Sequence, residues 1–171
     1  MEVNPPEMVV VGFEIRRSDS APIAKTVQHE IFKIILNEGT KEQILSYVDI
    51  VKKDLKDGKY KYSEYAIPKA IKKDMKDYKT KNPWVRGAEY SEKYLKIKFT
   101  PRSKVKLLYI KSMPEGCTQT DVLSFEYDDQ LPLNIKINWD RQFPPLIDNK
   151  VERVLEALGM EKTITKLSEW W

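Results

Sequence analysis

Only one cysteine and one histidine occur in 171 residues, Cys117 and His29. This excludes a disulfide framework, a Cys-rich zinc site and any multi-histidine metal centre. A Ser–His or Cys–His pair stays open. No run approaches the ~20 consecutive apolar residues of a membrane-spanning helix. Residues 1–6 lack the charged-then-apolar pattern of a signal peptide. A soluble intracellular protein with no membrane partner is the expectation. Against these absences stand 41% apolar residues and four tryptophans, enough to bury a core. The length predicts one domain with an appended tail.

Charge is abundant and unevenly placed. Residues 59–81 carry eight lysines and three acids, and residues 93–111 carry six lysines and Arg102 with no acid at all. Residues 112–161 reverse the sign, with ten acids against four bases. One Lys-rich stretch reads as an ordinary solvated face. Two of them opposite an acidic block imply a polarised surface and a polyanion partner.

The expected fold class is α+β: an N-terminal strand, an antiparallel helix pair, a small antiparallel sheet packed with helices, a C-terminal helix and a short tail. Residues 8–15 (MVVVGFEI) read as a buried strand. Ser20, followed by Ala21 and Pro22, reads as the cap of a first helix striped by Ile23, Val27, Ile31, Ile34 and Ile35. Thr40 with Gln43 forms a capping-box pattern for a second, striped by Ile44, Val48, Val51 and Leu55 and stopped at Asp57-Gly58. Residues 59–71 are expected to be extended and 72–78 a short helix. Asn82-Pro83 predicts a helix to about residue 94. Alternation of lysine with apolar residues predicts strands over 95–99 and 104–110, with a third over 122–127 and a turn over 128–132. A last helix is expected from Trp139, with Ile147, Val151, Val154 and Leu158 on one face and Gly159 ending it.

Two features exceed a plain globular domain. The tail, ITKLSEWW, places Leu167, Trp170 and Trp171 on one side of a short 3₁₀ turn, either as an anchor for a partner's pocket or folded back on the core. Arg16-Arg17, between a strand and a helix start, suit phosphate oxygens. The alternative is surface ion pairing, with Asp19 a neighbour.

In combination these segments resemble family B DNA polymerases. GFEIRRSDSAPIAKTVQHEIFKIIL resembles the passage from palm to thumb, and DYKTKNPWVRGAEY the Tyr-Lys…Pro-(His)-Val/Ile-Arg-Gly-Ala stretch of the thumb, with Trp84 where His is common. KVKLLYIK, DVLSFEY and FPPLIDNKVERVLEALGM resemble the strands and closing helix that follow. The tail is similar to a clamp-binding peptide, with Ile164 in place of its Gln and Leu167, Trp170 and Trp171 keeping the rest. Together these cover residues 8–171.

The resemblance implies a last palm strand and junction over 1–19, a thumb over 20–160 and a clamp-binding tail over 161–171. It implies a grip on primer–template duplex through phosphates, by Arg16, Arg17, Lys79 and Arg86, with Lys72, Lys73, Lys76 and Lys81 in support. The palm and exonuclease carboxylate motifs are absent from the sequence. This implies that catalysis and its Mg²⁺ belong to a large subunit carrying exonuclease, palm and fingers, and that this chain, beginning with Met, is the small subunit of a split polymerase, a truncated chain being the alternative. Neither activity nor any cofactor is expected of the chain alone. Its expected partners are the large subunit, the duplex and the sliding clamp, in the cytoplasm at the nucleoid.

The main alternative is a stand-alone DNA-binding or clamp-binding accessory protein. A small enzyme and a purely structural module rank lower. Asp128-Asp129 reads as a solvated turn, and no catalytic or metal-binding residue is assigned.

Overall fold

The computed structural model describes residues 20–157 and residue 159. The expected strand over 8–15, Arg16-Arg17 and the tail lie outside the described residues. In chain order the elements are α1 (Pro22–Leu36), α2 (Lys41–Lys56), the single-turn α3 (Tyr62–Tyr65), β1 (Ile67–Ala70), a 3₁₀ turn (Met75–Asp77), α4 (Pro83–Tyr94), β2 (Lys104–Ser112), β3 (Val122–Phe125), a 3₁₀ turn (Asp128–Gln130), β4 (Lys136–Ile137), α5 (Trp139–Phe143), a π-helical turn (Pro144–Asp148) and α6 (Asn149–Ala157). The mixture of helices with a small, open antiparallel sheet is the α+β class expected. The described residues form two compact units, 20–59 with 143–157, and 60–142.

The described residues of the first unit are helical. Thr40 and Gln43 form the anticipated capping box, each side chain bonding the other's backbone N–H. Asp57 caps the far end of α2, and Gly58 takes the left-handed conformation (φ 77°) that follows. The α1 cap falls on Ala21 rather than Ser20, with Pro22 supplying the preset φ of a first turn. Ile23, Ala24, Val27, Ile31 and Phe32 of α1 are buried, as are Ile44, Leu45, Val48, Val51 and Leu55 of α2. Ile34 and Ile35 are only half-buried. The last helix is interrupted by the π-helical turn, where Pro144 and Pro145 have no N–H to donate. Leu146, Ile147, Val151, Val154 and Leu155 form its buried face, and Gly159 (φ 77°) donates its N–H to the Glu156 carbonyl.

The second unit is a sheet in the order β1-β2-β3, all antiparallel, with β4 also pairing β2. Ile67 faces Leu107 and Ala70 faces Lys104 across β1 and β2, while Lys106 faces Phe125 and Tyr109 faces Val122 across β2 and β3. Pro68 lies in β1, an edge position where its missing N–H breaks no ladder.

Several expectations are corrected here. Residues 59–71 are not uniformly extended, since α3 precedes β1. Residues 72–78 form only the 3₁₀ turn Met75–Asp77. The third strand stops at Phe125. No strand forms over 95–99. Ile97 and Phe99 are buried and Lys96 and Lys98 exposed, so the alternation is real, but the pairing is missing. The end of α4 takes the donors instead. The N–H groups of Leu95 and Ile97 both donate to the Ser91 carbonyl, Lys96 sits at φ 57°, and the Phe99 N–H donates to Glu92 Oε2.

Helix α4 lies directly on β3. A Cβ on Gly87 would stand 2.7 Å from the Ser124 nitrogen and 2.8 Å from the Leu123 carbonyl carbon. Ser91 Oγ donates to the Ser124 carbonyl at 2.5 Å, and Ser124 Oγ donates to the Trp84 carbonyl at 2.8 Å. Gln142, fully buried in α5, completes the unit. Its amide nitrogen donates to the Tyr65 carbonyl (2.9 Å) and the Leu107 carbonyl (3.3 Å), and its oxygen accepts the Tyr109 N–H (2.8 Å).

Candidate nucleic-acid interface

Two basic blocks that are apart in the sequence meet in the second unit. The β1–β2 ladder continues past Ala70 through two backbone bonds: the Ile71 N–H to the Ser103 carbonyl at 2.8 Å, and the Arg102 N–H to the Ile71 carbonyl at 2.6 Å. Ser103 closes the turn by accepting the Thr100 N–H on its hydroxyl and donating its own N–H to the Thr100 carbonyl. Arg102 adopts φ 76° at its tip. Lys72 and Lys73 from the first block are thereby brought beside Arg102 and Lys104 from the second. All four are exposed, and among the described residues none is in an ion pair. Unneutralised cations on a backbone-stapled edge suit the regularly spaced phosphates of a nucleic acid.

Aromatic rings line the same region. Lys69 Nζ lies 4.8 Å from the centroid of the half-buried Trp84, and Lys73 Nζ 5.2 Å from that of Tyr78. Tyr78 Oη accepts the Lys72 N–H at 2.8 Å and so ties the loop down.

The other anticipated residues have different surroundings. Lys76 and Lys79 are exposed. Lys76 and Lys81 line a groove of about 480 Å³ with Met75, Tyr78, Glu89, Glu92 and Lys93. Lys81 Nζ is held by Glu89 at 2.8 Å, so that groove carries both signs. Arg86 forks onto Asp121, Nη1 to Oδ1 at 2.9 Å and Nη2 to Oδ2 at 3.2 Å. The bond raises the Arg86 pKa and, from the other side, holds the Asp121 carboxyl below its usual range. Arg16, Arg17, Ile164, Leu167, Trp170 and Trp171 lie outside the described residues. Arg102 and Lys104 were missed as site residues, although the acid-free run that contains them is visible in the sequence.

The other candidate groups do not converge. His29 is exposed and Cys117 half-buried. The Asp128 carboxylate accepts the N–H and hydroxyl of Ser63. Among the described residues no group of three or more His, Cys, Asp or Glu is placed to hold a metal ion. Also among the described residues, no helix is long and apolar enough to cross a membrane.

Comparison with known proteins gives a consistent picture. Residues 2–158 match the family model for DNA polymerase family B. A DNA polymerase of Archaeoglobus fulgidus is 37% identical over 81 residues, which is 47% of this chain and 10% of that protein. DNA polymerases of Methanocaldococcus jannaschii and Thermococcus litoralis are 28% and 30% identical over 93% and 88% of this chain. The chain spans only 9% of the length of each of these two relatives. In fold it is similar to the family B DNA polymerase from the hyperthermophilic archaeon Pyrobaculum calidifontis, with a TM-score of 0.53 at 22% identity over 75% of this chain and 17% of that one.

Proposed function

The chain belongs to DNA polymerase family B, and from that premise we propose that it acts as the thumb of such a polymerase, gripping primer–template duplex behind an active site carried on a separate large subunit. The observation that supports this most directly is the stapled edge of Lys72, Lys73, Arg102 and Lys104. Cations without acidic partners meet phosphates at no cost in broken ion pairs, and the resulting affinity is independent of sequence and sensitive to salt. Arg16, Arg17, Lys76, Lys79, Lys81 and Arg86 extend the grip in this reading, with Lys81 and Arg86 first leaving or sharing Glu89 and Asp121.

The large subunit supplies exonuclease, palm and fingers, together with the Mg²⁺-binding carboxylates. Residues 8–15 add the last strand to its palm sheet. Ile164, Leu167, Trp170 and Trp171 dock on the sliding clamp, so that the complex works at the nucleoid and its effective concentration at the primer end rises.

The test is duplex binding by the chain over a range of salt concentrations. Replacing Lys72, Lys73, Arg102 and Lys104 with Gln together is expected to reduce the log–log salt slope by about three to four. An unchanged slope removes the edge from the interface. Co-purification of a larger polymerase chain and of the clamp from the source tests the two partner assignments.

A further inference from the structure

We propose that Arg86 and Arg141 form a binding site for a single phosphate group, and that Asp121 fills this site with its own carboxylate until a phosphate displaces it. The three side chains come from three elements: Arg86 from α4, Asp121 from the turn before β3, and Arg141 from α5. Both carboxylate oxygens of Asp121 are taken by the Arg86 fork, at 2.9 and 3.2 Å. Arg141 Nη1 reaches Oδ2 only at 3.6 Å. Two planar guanidiniums thus converge on one carboxylate and leave the cluster with a net positive charge.

The position of Arg141 does not depend on that carboxylate. Its guanidinium carbon lies 4.5 Å from the centroid of the Tyr109 ring, on β2. The second fork is therefore held in place when Asp121 withdraws. A phosphate offers more acceptor oxygens than a carboxylate, enough to satisfy two forks at once, and it carries charge to match. The side chains of Arg86, Arg141 and Asp121 are 42%, 46% and 52% exposed, so a ligand can reach all three. An ion pair this open to water is weak and exchanges readily. Elsewhere among the described residues the exposed ion pairs are one lysine to one acid: Lys33 with Glu30, Lys59 with Asp54, and Lys81 with Glu89. At Asp121, by contrast, two arginines share one acid.

The phosphate comes either from a nucleic-acid backbone or from free phosphate. The first source rests on the duplex-gripping reading above; the site itself does not. Two measurements separate them: inorganic phosphate titrated while the arginine side-chain nitrogens are followed by NMR, and duplex binding measured by anisotropy at low salt. Asp121→Asn keeps one acceptor oxygen and removes the competing charge. It is expected to tighten duplex binding by about tenfold and to steepen the salt slope by about one. Asp121→Ala should move in the same direction. In the Asp121→Asn chain, phosphate should shift the Arg86 and Arg141 signals, and adding Arg141→Gln should return duplex affinity to the starting value.

If phosphate shifts those signals while duplex affinity stays level, the site stands with free phosphate as its ligand, and the failure falls on the duplex reading. If Asp121→Asn binds duplex no better and phosphate leaves both arginines unmoved, the cluster is a structural fork and the proposal is overturned. Weaker duplex binding by both Asp121 variants would make Asp121 an orienting group and overturn it equally.

Discussion

Each unit buries a glutamine completely, and the two glutamines are treated in opposite ways. Gln142, in the mixed unit, makes three hydrogen bonds to the backbone of Tyr65, Leu107 and Tyr109. Gln28, on α1 of the helical unit, has no partner among the described residues for either polar atom. The contrast follows from the elements around them. A helix satisfies its own backbone, so a core of three helical segments needs only apolar stripes, and a buried amide among them has nothing to bond. Short strands and an edge leave carbonyls and N–H groups over, and these must be met by side chains. The mixed unit meets them with Gln142 and Ser91, while Ser124 donates to the Trp84 carbonyl of α4. Its specificity lies in placed polar atoms, and that of the helical unit in spacing.

The sharpest way to break this contrast is Gln142→Leu. It removes all three bonds, among them those to the Tyr65 carbonyl and the Tyr109 N–H, and a loss of about 3 kcal/mol in unfolding free energy is expected by denaturant titration. A loss below ~1 kcal/mol would mean that the bonds are not what holds β2. Next is Gly87→Ala. The added methyl would meet the backbone of Ser124 and Leu123, which cannot rotate away, so a loss of about 2 kcal/mol is expected, with faster hydrogen exchange at the β3 amides. Gln28→Leu should do the reverse and stabilise the chain by about 1 kcal/mol, because it removes a buried amide that has no partner among the described residues. If it destabilises, the two glutamines are alike after all.

The smallest effect is a matter of pH. Burial, with Tyr62 and Asp128 nearby, raises the Tyr65 pKa above its ordinary value of 10.0. The unfolded chain therefore gives up this proton first, and stability falls as pH rises through that value, by about 0.4 kcal/mol at pH 10. Tyr65→Phe should remove that part of the pH dependence. The paired measurement is the melting temperature of both chains across the alkaline range.

The helical unit was legible in the sequence because its signals are local. Apolar residues recur at helical spacing, Thr40 and Gln43 are three residues apart, and Pro22 and Gly58 stand at the ends. Much of the mixed unit was not. β4 is two residues long, too short for any period to show. Over 95–99 the alternation was read correctly, yet it marked a chain leaving a helix, since burial in alternate positions does not require a neighbouring strand. The Gly87–Ser124 approach joins residues far apart in the chain.

The candidate interface divides in the same way. Its two basic blocks were visible, and so was the Arg86 motif. That Ile71 bonds Arg102 and Ser103, making one edge of the two blocks, is a matter of register. That Arg86 turns to Asp121, 35 residues on, is equally invisible in composition.

The two borders of the sheet bear on how this chain behaves at high concentration. On one side Pro68 interrupts the row of donors that a second copy would need. On the other, the Ser91 hydroxyl already occupies the Ser124 carbonyl of β3. Neither border offers a full template for growth by strand addition. Should the isolated chain precipitate, then, the described sheet is a poor place to look for the cause, and fibre-like stacking through it is not the expected form of the deposit.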